Sequence, residues 1–72
     1  MSTYKMITLV GTSNDSYEAA IRNAIADAGK TVRHLDWFEV KEQRGRLGPG
    51  GAVLEYQVKI QGGFRLDRVE EA

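Results

Sequence analysis

From Ala52 to Leu66 the chain alternates with a period of two, and no other feature restricts the fold as tightly. The even positions are Ala52, Leu54, Tyr56, Val58, Ile60, Gly62, Phe64 and Leu66. The odd positions are Val53, Glu55, Gln57, Lys59, Gln61, Gly63 and Arg65. Successive side chains of a strand point to opposite faces, so this segment is a long strand with one face on a core and the other toward polar surroundings. The pair Gly62-Gly63 predicts a bulge or bend within it.

A strand of that length needs partners and a cover. Val32 to about Arg46 reads as a second long strand, joined to the first by the turn-rich GRLGPGG segment, Gly45 to Gly51, in a hairpin. Tyr4 to Val10 reads as an N-terminal strand closed by the turn cluster Gly11 to Asp15. Between these lies one helix. Tyr17, Ala20, Ile21, Ala24, Ile25 and Ala28 make one apolar stripe, with Glu18, Arg22, Asn23 and Asp27 off it. Ser13 or Asp15 is the expected N-cap, Asp15 with Glu18 fits a capping box, and Gly29 is the expected stop, with Lys30 beside the negative helix end. Residues 67–72 are a charged tail expected to fray. The expected fold class is α+β, in the order β1-α-β2-β3. A three-stranded antiparallel sheet curls around one helix, in a single domain spanning residues 1–72.

The lengths do not match. The two long strands could each reach about 40–50 Å. A helix of about four turns covers only about 20–25 Å. A chain of 72 residues also has a marginal core. It has no cysteine and one histidine, His34, so neither a disulfide nor a metal site rich in thiolate or imidazole supplies a staple. Oligomerisation is the remaining means of stabilisation. Lysine plus arginine and aspartate plus glutamate stand at ten each, so there is no overall charge to attract nucleic acid or an anionic membrane. There is no signal-like N-terminal run and no stretch near the ~20 apolar residues of a membrane span. The expected location is the cytoplasm.

Strand two holds the residue that is hardest to place. By parity Phe38 and Val40 share a face with Asp36 and Glu42, while Leu35 and Trp37 share the other with Glu39, Lys41 and Gln43. If Phe38 and Val40 face the helix, Trp37 points outward, onto the same face as Gln57. A wet tryptophan forgoes about 2–3 kcal/mol of burial. Three readings follow: a bulge returns Trp37 to the core, Trp37 anchors a subunit interface, or Trp37 is a stacking platform for a flat ligand. The pattern alone leaves the last two open.

Five segments together resemble the dodecin family: LVGTS (Leu9 to Ser13), the alanine-rich helix, RHLDWFEVKEQRG (Arg33 to Gly45), EYQV (Glu55 to Val58) and GFRL (Gly63 to Leu66). DWFEV and YQV are the specific part. The likeness covers nearly the whole chain, in order. It implies a hollow homododecamer that binds flavin non-covalently in antiparallel pairs. Each pair lies between symmetry-related tryptophans, here Trp37, and a glutamine, here Gln57, reads the polar edge of the isoalloxazine. It implies FMN or riboflavin as cofactor, with FAD as a further option, and a role in storage and photoprotective quenching. Arg44 and Arg46 are candidates for contacts to the flavin tail, above all an FMN phosphate. The opposing view of both is that they are solvated hairpin arginines.

Other chemistries find little support. The glycines around Pro49 lack the G-K-[ST] and the following helix of a phosphate loop. Ser13, His34 and Asp36 do not make a triad, since Ser13 is explained by its place before the helix. No carboxylate pair is singled out by spacing, so no catalytic residues and no metal ligands are expected and the chain is read as a non-enzyme. The competing function is a small structural or interaction module in which Trp37 anchors an interface and no cofactor binds. A flavin-dependent enzyme is a weaker third option. The colour of the purified protein separates the first two: yellow for flavin, colourless for the module.

Overall fold

Ten residues of extended chain, Tyr4–Ser13, form strand β1. Helix α1 follows at Tyr17–Gly29, then strand β2 at Leu35–Leu47, a short 3-10 turn at Pro49–Gly51, and strand β3 at Val53–Arg65. The structure is a computed structural model and describes residues 1–66, so the charged tail lies outside the described residues. The sheet order is β1-β3-β2, with β3 antiparallel to both neighbours. The α+β class, the element order and the antiparallel sheet agree with the expectation from sequence.

Several boundaries move, each for a local reason. β1 continues past Val10, because Gly11, Thr12 and Ser13 pair with Val58, Gln57 and Tyr56. Gly11 is a packing residue within the strand. A Cβ there would lie 2.0 Å from the Ala20 carbonyl oxygen and 2.8 Å from Ala24 Cβ. The helix N-cap is Ser16, whose Oγ accepts from the Ala19 N–H at 3.0 Å. Ser13 is still in the sheet and only closes a small turn, accepting from the Asp15 N–H at 2.9 Å, so the Asp15/Glu18 capping box does not form. The helix includes Gly29 and is capped at Lys30, whose ammonium sits 3.5 Å from Asp27 Oδ1. β2 begins at Leu35, three residues later than expected, because the Thr31 and Val32 N–H groups both donate to the Ala28 carbonyl and His34 takes φ +60°. At the hairpin end Gly50 and Gly51 take φ +72° and +78°, where a Cβ would be strained.

The core is small and lies between α1 and the pair β1/β3. Ala20 and Ala24 pack with Val58 and Ile60, supported by Leu9, Tyr17, Ile21 and Ile25. Alanines on the helix and Gly11 on the strand let the two backbones approach closely, as the apolar stripe predicts. Tyr17 meets Tyr56 edge-to-face at 5.0 Å.

β2 falls outside this cover. Phe38 and Val40 pair with Gly62 and Ile60 and so lie on the helix side of the sheet, as expected. They are nevertheless 44% and 41% exposed, because α1 lies over β1 and β3. The radius of gyration is 15.5 Å. A compact chain of this length has about 11 Å. The hairpin arm projects beyond what the single helix can cover.

Candidate functional site

The register of β2 on β3 slips between Leu35 and Trp37 and again between Val40 and Glu42. Each slip places an extra residue in β2, and each reverses parity. Leu35 consequently falls opposite Phe64, on the helix side, and does not share the Trp37 face. Beyond the second slip, Glu42, Arg44 and Arg46 oppose Lys59, Gln57 and Glu55 on the outer face. Strict alternation had put Glu42 with Phe38 and Val40, and Gln43 with Trp37. The structure exchanges them, since Gln43 now opposes the buried Val58. The bulges therefore gather Trp37, Arg44, Arg46 and Gln57 on one face. β3 itself pairs with β1 without a slip through Gly62 and Gly63; the irregularity at this level of the sheet is the extra residue on β2 between Leu35 and Trp37, opposite Phe64 and Gly63.

Gly63 has a different task. A Cβ built there would stand 2.5 Å from Trp37 Cε2, 2.5 Å from Cζ2 and 2.8 Å from Cη2. Near-equal distances to three ring atoms put that Cβ over the face of the benzo ring. The indole thus lies flat on the β3 backbone, and its other face looks away from the sheet. Tyr4, on the far strand β1, packs against the indole with ring centroids 4.6 Å apart and planes at 54°. The Tyr4 hydroxyl donates to Asp36 Oδ2 at 3.1 Å. This bond to a carboxylate, together with the charge of Asp36, holds the hydroxyl above the ordinary tyrosine range, and Arg65 acts in the opposite sense. The ring is clamped between a glycine beneath and a tyrosine beside it, and it is still 44% exposed. Tyr4, Asp36 and Gly63 were not read from sequence as neighbours of Trp37. The visible signal was Gly63, a glycine in the polar register of an otherwise regular strand.

Gly63→Val is expected to lift the indole off the sheet while leaving the β1/β3 ladder in place. Tryptophan fluorescence should shift and near-ultraviolet dichroism from the Tyr4–Trp37 pair should diminish. Unchanged spectra would mean that the indole does not rest on Gly63.

At the other end of the face is a hydrogen-bonded row. Arg44 Nε donates to Gln57 Oε1 at 2.9 Å, and Arg44 Nη1 to Glu42 Oε1 at 2.8 Å. Gln57 Nε2 donates to Glu55 Oε1 at 2.7 Å, which also faces Arg46 Nε at 3.4 Å. Lys59 completes the row 3.7 Å from Glu42. Trp37 opposes Gly63 and Arg44 opposes Gln57, so the two ends are six residues apart along β3. That is roughly 20 Å. One chain presents the indole and the amide on the same face but too far apart to touch one ring system. A flat ligand touching both kinds of residue must take them from different copies.

The described residues contain no group of three or more His, Asp and Glu side chains placed to hold a metal ion, and no helix long and apolar enough to cross a membrane.

The family model described as Dodecin matches residues 3–67. A curated Dodecin from Thermus thermophilus is 61% identical over 64 residues, covering 89% of this chain and 91% of that protein. The crystal structure of the tt0972 protein from the same organism superposes with a TM-score of 0.89 at 56% identity, covering 96% of this chain and 100% of its own. A protein named Calcium dodecin from Mycobacterium tuberculosis is 32% identical over 66 residues, covering 92% of each chain. The fold and the matched length agree, and the chain belongs to the dodecin family.

Proposed function

We propose that this chain binds flavin non-covalently between subunits of a hollow homododecamer, and that it stores and quenches the flavin without turning it over. The observation that carries the reading is the indole of Trp37, held flat over Gly63 with one face unused. A clamped, outward aromatic plane suits a second aromatic plane. Offset stacking there contributes about 0.5–1.5 kcal/mol beyond area burial. The glycine beneath it gives the indole its place: a side chain at that position would occupy the space in which the ring lies.

The polar row suits the other parts of the ligand. Gln57 keeps one N–H and one carbonyl lone pair after its bonds to Glu55 and Arg44, and the pyrimidine edge of an isoalloxazine presents both an N–H and carbonyls. Arg44 and Arg46 are cationic donors on the same face, suited to an FMN phosphate, although both are engaged with Glu42, Gln57 and Glu55 in the single chain. FMN or riboflavin is the expected ligand. A bound flavin would supply a ring that light excites, and Trp37 would quench it by donating an electron and taking it back, so that neither group is left oxidised or reduced. Assembly is supported by Phe38 and Val40, half-exposed on the helix side, where burial of each is worth about 1.5–3 kcal/mol.

The test is a flavin fluorescence titration on protein first sized by light scattering. A particle of about twelve subunits that quenches flavin near one equivalent per chain is the expected result. A particle of that size that leaves flavin fluorescent would return Trp37 to the role of an interface anchor. A monomer indifferent to flavin would remove both parts of the proposal.

A further inference from the structure

We infer that Glu55 is a positioning residue that fixes which way round the Gln57 amide faces, and so which carbonyl of the flavin edge is hydrogen-bonded. The inference rests on the flavin reading above. A glutamine amide has nearly the same shape when turned by half a rotation, but its two ends then exchange donor and acceptor. Here the ends are held by partners that allow only one order. Arg44 Nε has only hydrogen to offer and stands 2.9 Å from Gln57 Oε1. The carboxylate of Glu55 has only lone pairs to offer and stands 2.7 Å from Gln57 Nε2. Turning the amide would set donor against donor on one side and acceptor against acceptor on the other, losing two charge-assisted bonds together.

The partners are themselves tied down. Arg44 is held by Glu42 at 2.8 Å, directly along β2. Glu55 is three-quarters buried and is faced across the hairpin by Arg46 at 3.4 Å. The row is built from directly opposed pairs, Arg44 with Gln57 and Arg46 with Glu55, so the register of the hairpin sets it. The amide therefore presents its remaining N–H and its remaining lone pair in one order along β3. The pyrimidine edge of an isoalloxazine runs carbonyl, N–H, carbonyl. Gln57 can accept from the central N–H and donate to one flanking carbonyl, and the order of its atoms decides which one. Glu55 touches no ligand atom in this scheme.

The experiment measures flavin affinity and the infrared stretches of the two ring carbonyls, using riboflavin labelled with carbon-13 at one carbonyl, on assembled protein. The parent is expected to show one carbonyl shifted by hydrogen bonding. Glu55→Ala removes the acceptor and should weaken binding by about threefold to tenfold and split the carbonyl signal into two populations. Glu55→Gln removes the charge but keeps a carbonyl acceptor, and should retain the single signal and an affinity within about twofold of the parent. Glu39→Gln, which takes a charge from the same face away from the row, should match the parent. Affinity and carbonyl signal unchanged in Glu55→Ala would overturn the inference, as would Glu55→Gln behaving like Glu55→Ala, since charge and not amide order would then be responsible. A parent assembly that does not bind riboflavin at all would overturn the flavin reading and this inference with it.

Discussion

Trp37→Ala is expected to weaken flavin binding by roughly thirtyfold, about 2 kcal/mol, and to abolish quenching of whatever flavin still binds. The size follows from what is removed. The substitution takes away a π-face that is already clamped by Gly63 and Tyr4, so little ordering cost offsets the stacking gain. Trp37→Phe separates the two effects. It keeps a plane on the sheet and should recover part of the affinity, but phenyl is a poor electron donor and quenching should remain weak. Isothermal titration and flavin fluorescence lifetimes are the measurements. Parent-like affinity with full quenching in Trp37→Ala would end the stacking role. A loss of assembly with no change in flavin affinity would make Trp37 an interface anchor and not the stacking platform.

The second large effect concerns the fold. Gly11→Ala is expected to lower the melting temperature of the assembly by more than about 10 °C. The Cβ would stand 2.0 Å from the Ala20 carbonyl oxygen and 2.9 Å from its carbon. Both belong to the helix backbone, so no rotamer change relieves them, and the helix as a whole must move outward. Overpacking of a close core costs about 1–3 kcal/mol and sometimes more. The core is small, Ala20 and Ala24 against Val58 and Ile60, and has little to spare. Scanning calorimetry with far-ultraviolet dichroism decides it. A melting point within a few degrees of the parent would show that α1 can ride away from β1 freely. Gly29→Ala is the control, since nothing lies within 4 Å of a Cβ there.

These two residues differ in how far sequence reading reached them. Trp37 was marked by the alternation of strand two and by the DWFEV segment, and its outer face, which parity made conditional on Phe38 and Val40 facing the helix, is the one it takes opposite Gly63. Gly11 was read as a turn. In the structure it is the point at which the helix touches the strand, a fact of two backbones that no local pattern carries. The same holds for Gly63, read as a bend and found beneath the indole.

The amino-acid sequence by itself determined the elements that depend on neighbours within a few residues. The fifteen-residue alternation made β3, the i, i+3, i+4 stripe made α1, and the glycine-rich segment made the hairpin. It also determined that one chain is short of cover, because strand and helix lengths can be compared without a structure. Only the tertiary structure decided the faces of β2. Strict alternation ran from Asp36 to Arg46 without interruption, yet two register slips against β3 moved Leu35 to the helix side and Glu42, Arg44 and Arg46 to the outer side. A bulge is set by hydrogen bonding to the partner strand, and the residues that make it differ little from those of a regular strand. The ordering of the Gln57 amide between Arg44 and Glu55, and the roughly 20 Å between Gln57 and Trp37 on the same face, follow from that register. Both are relations between strands, and they exist only once the hairpin has closed.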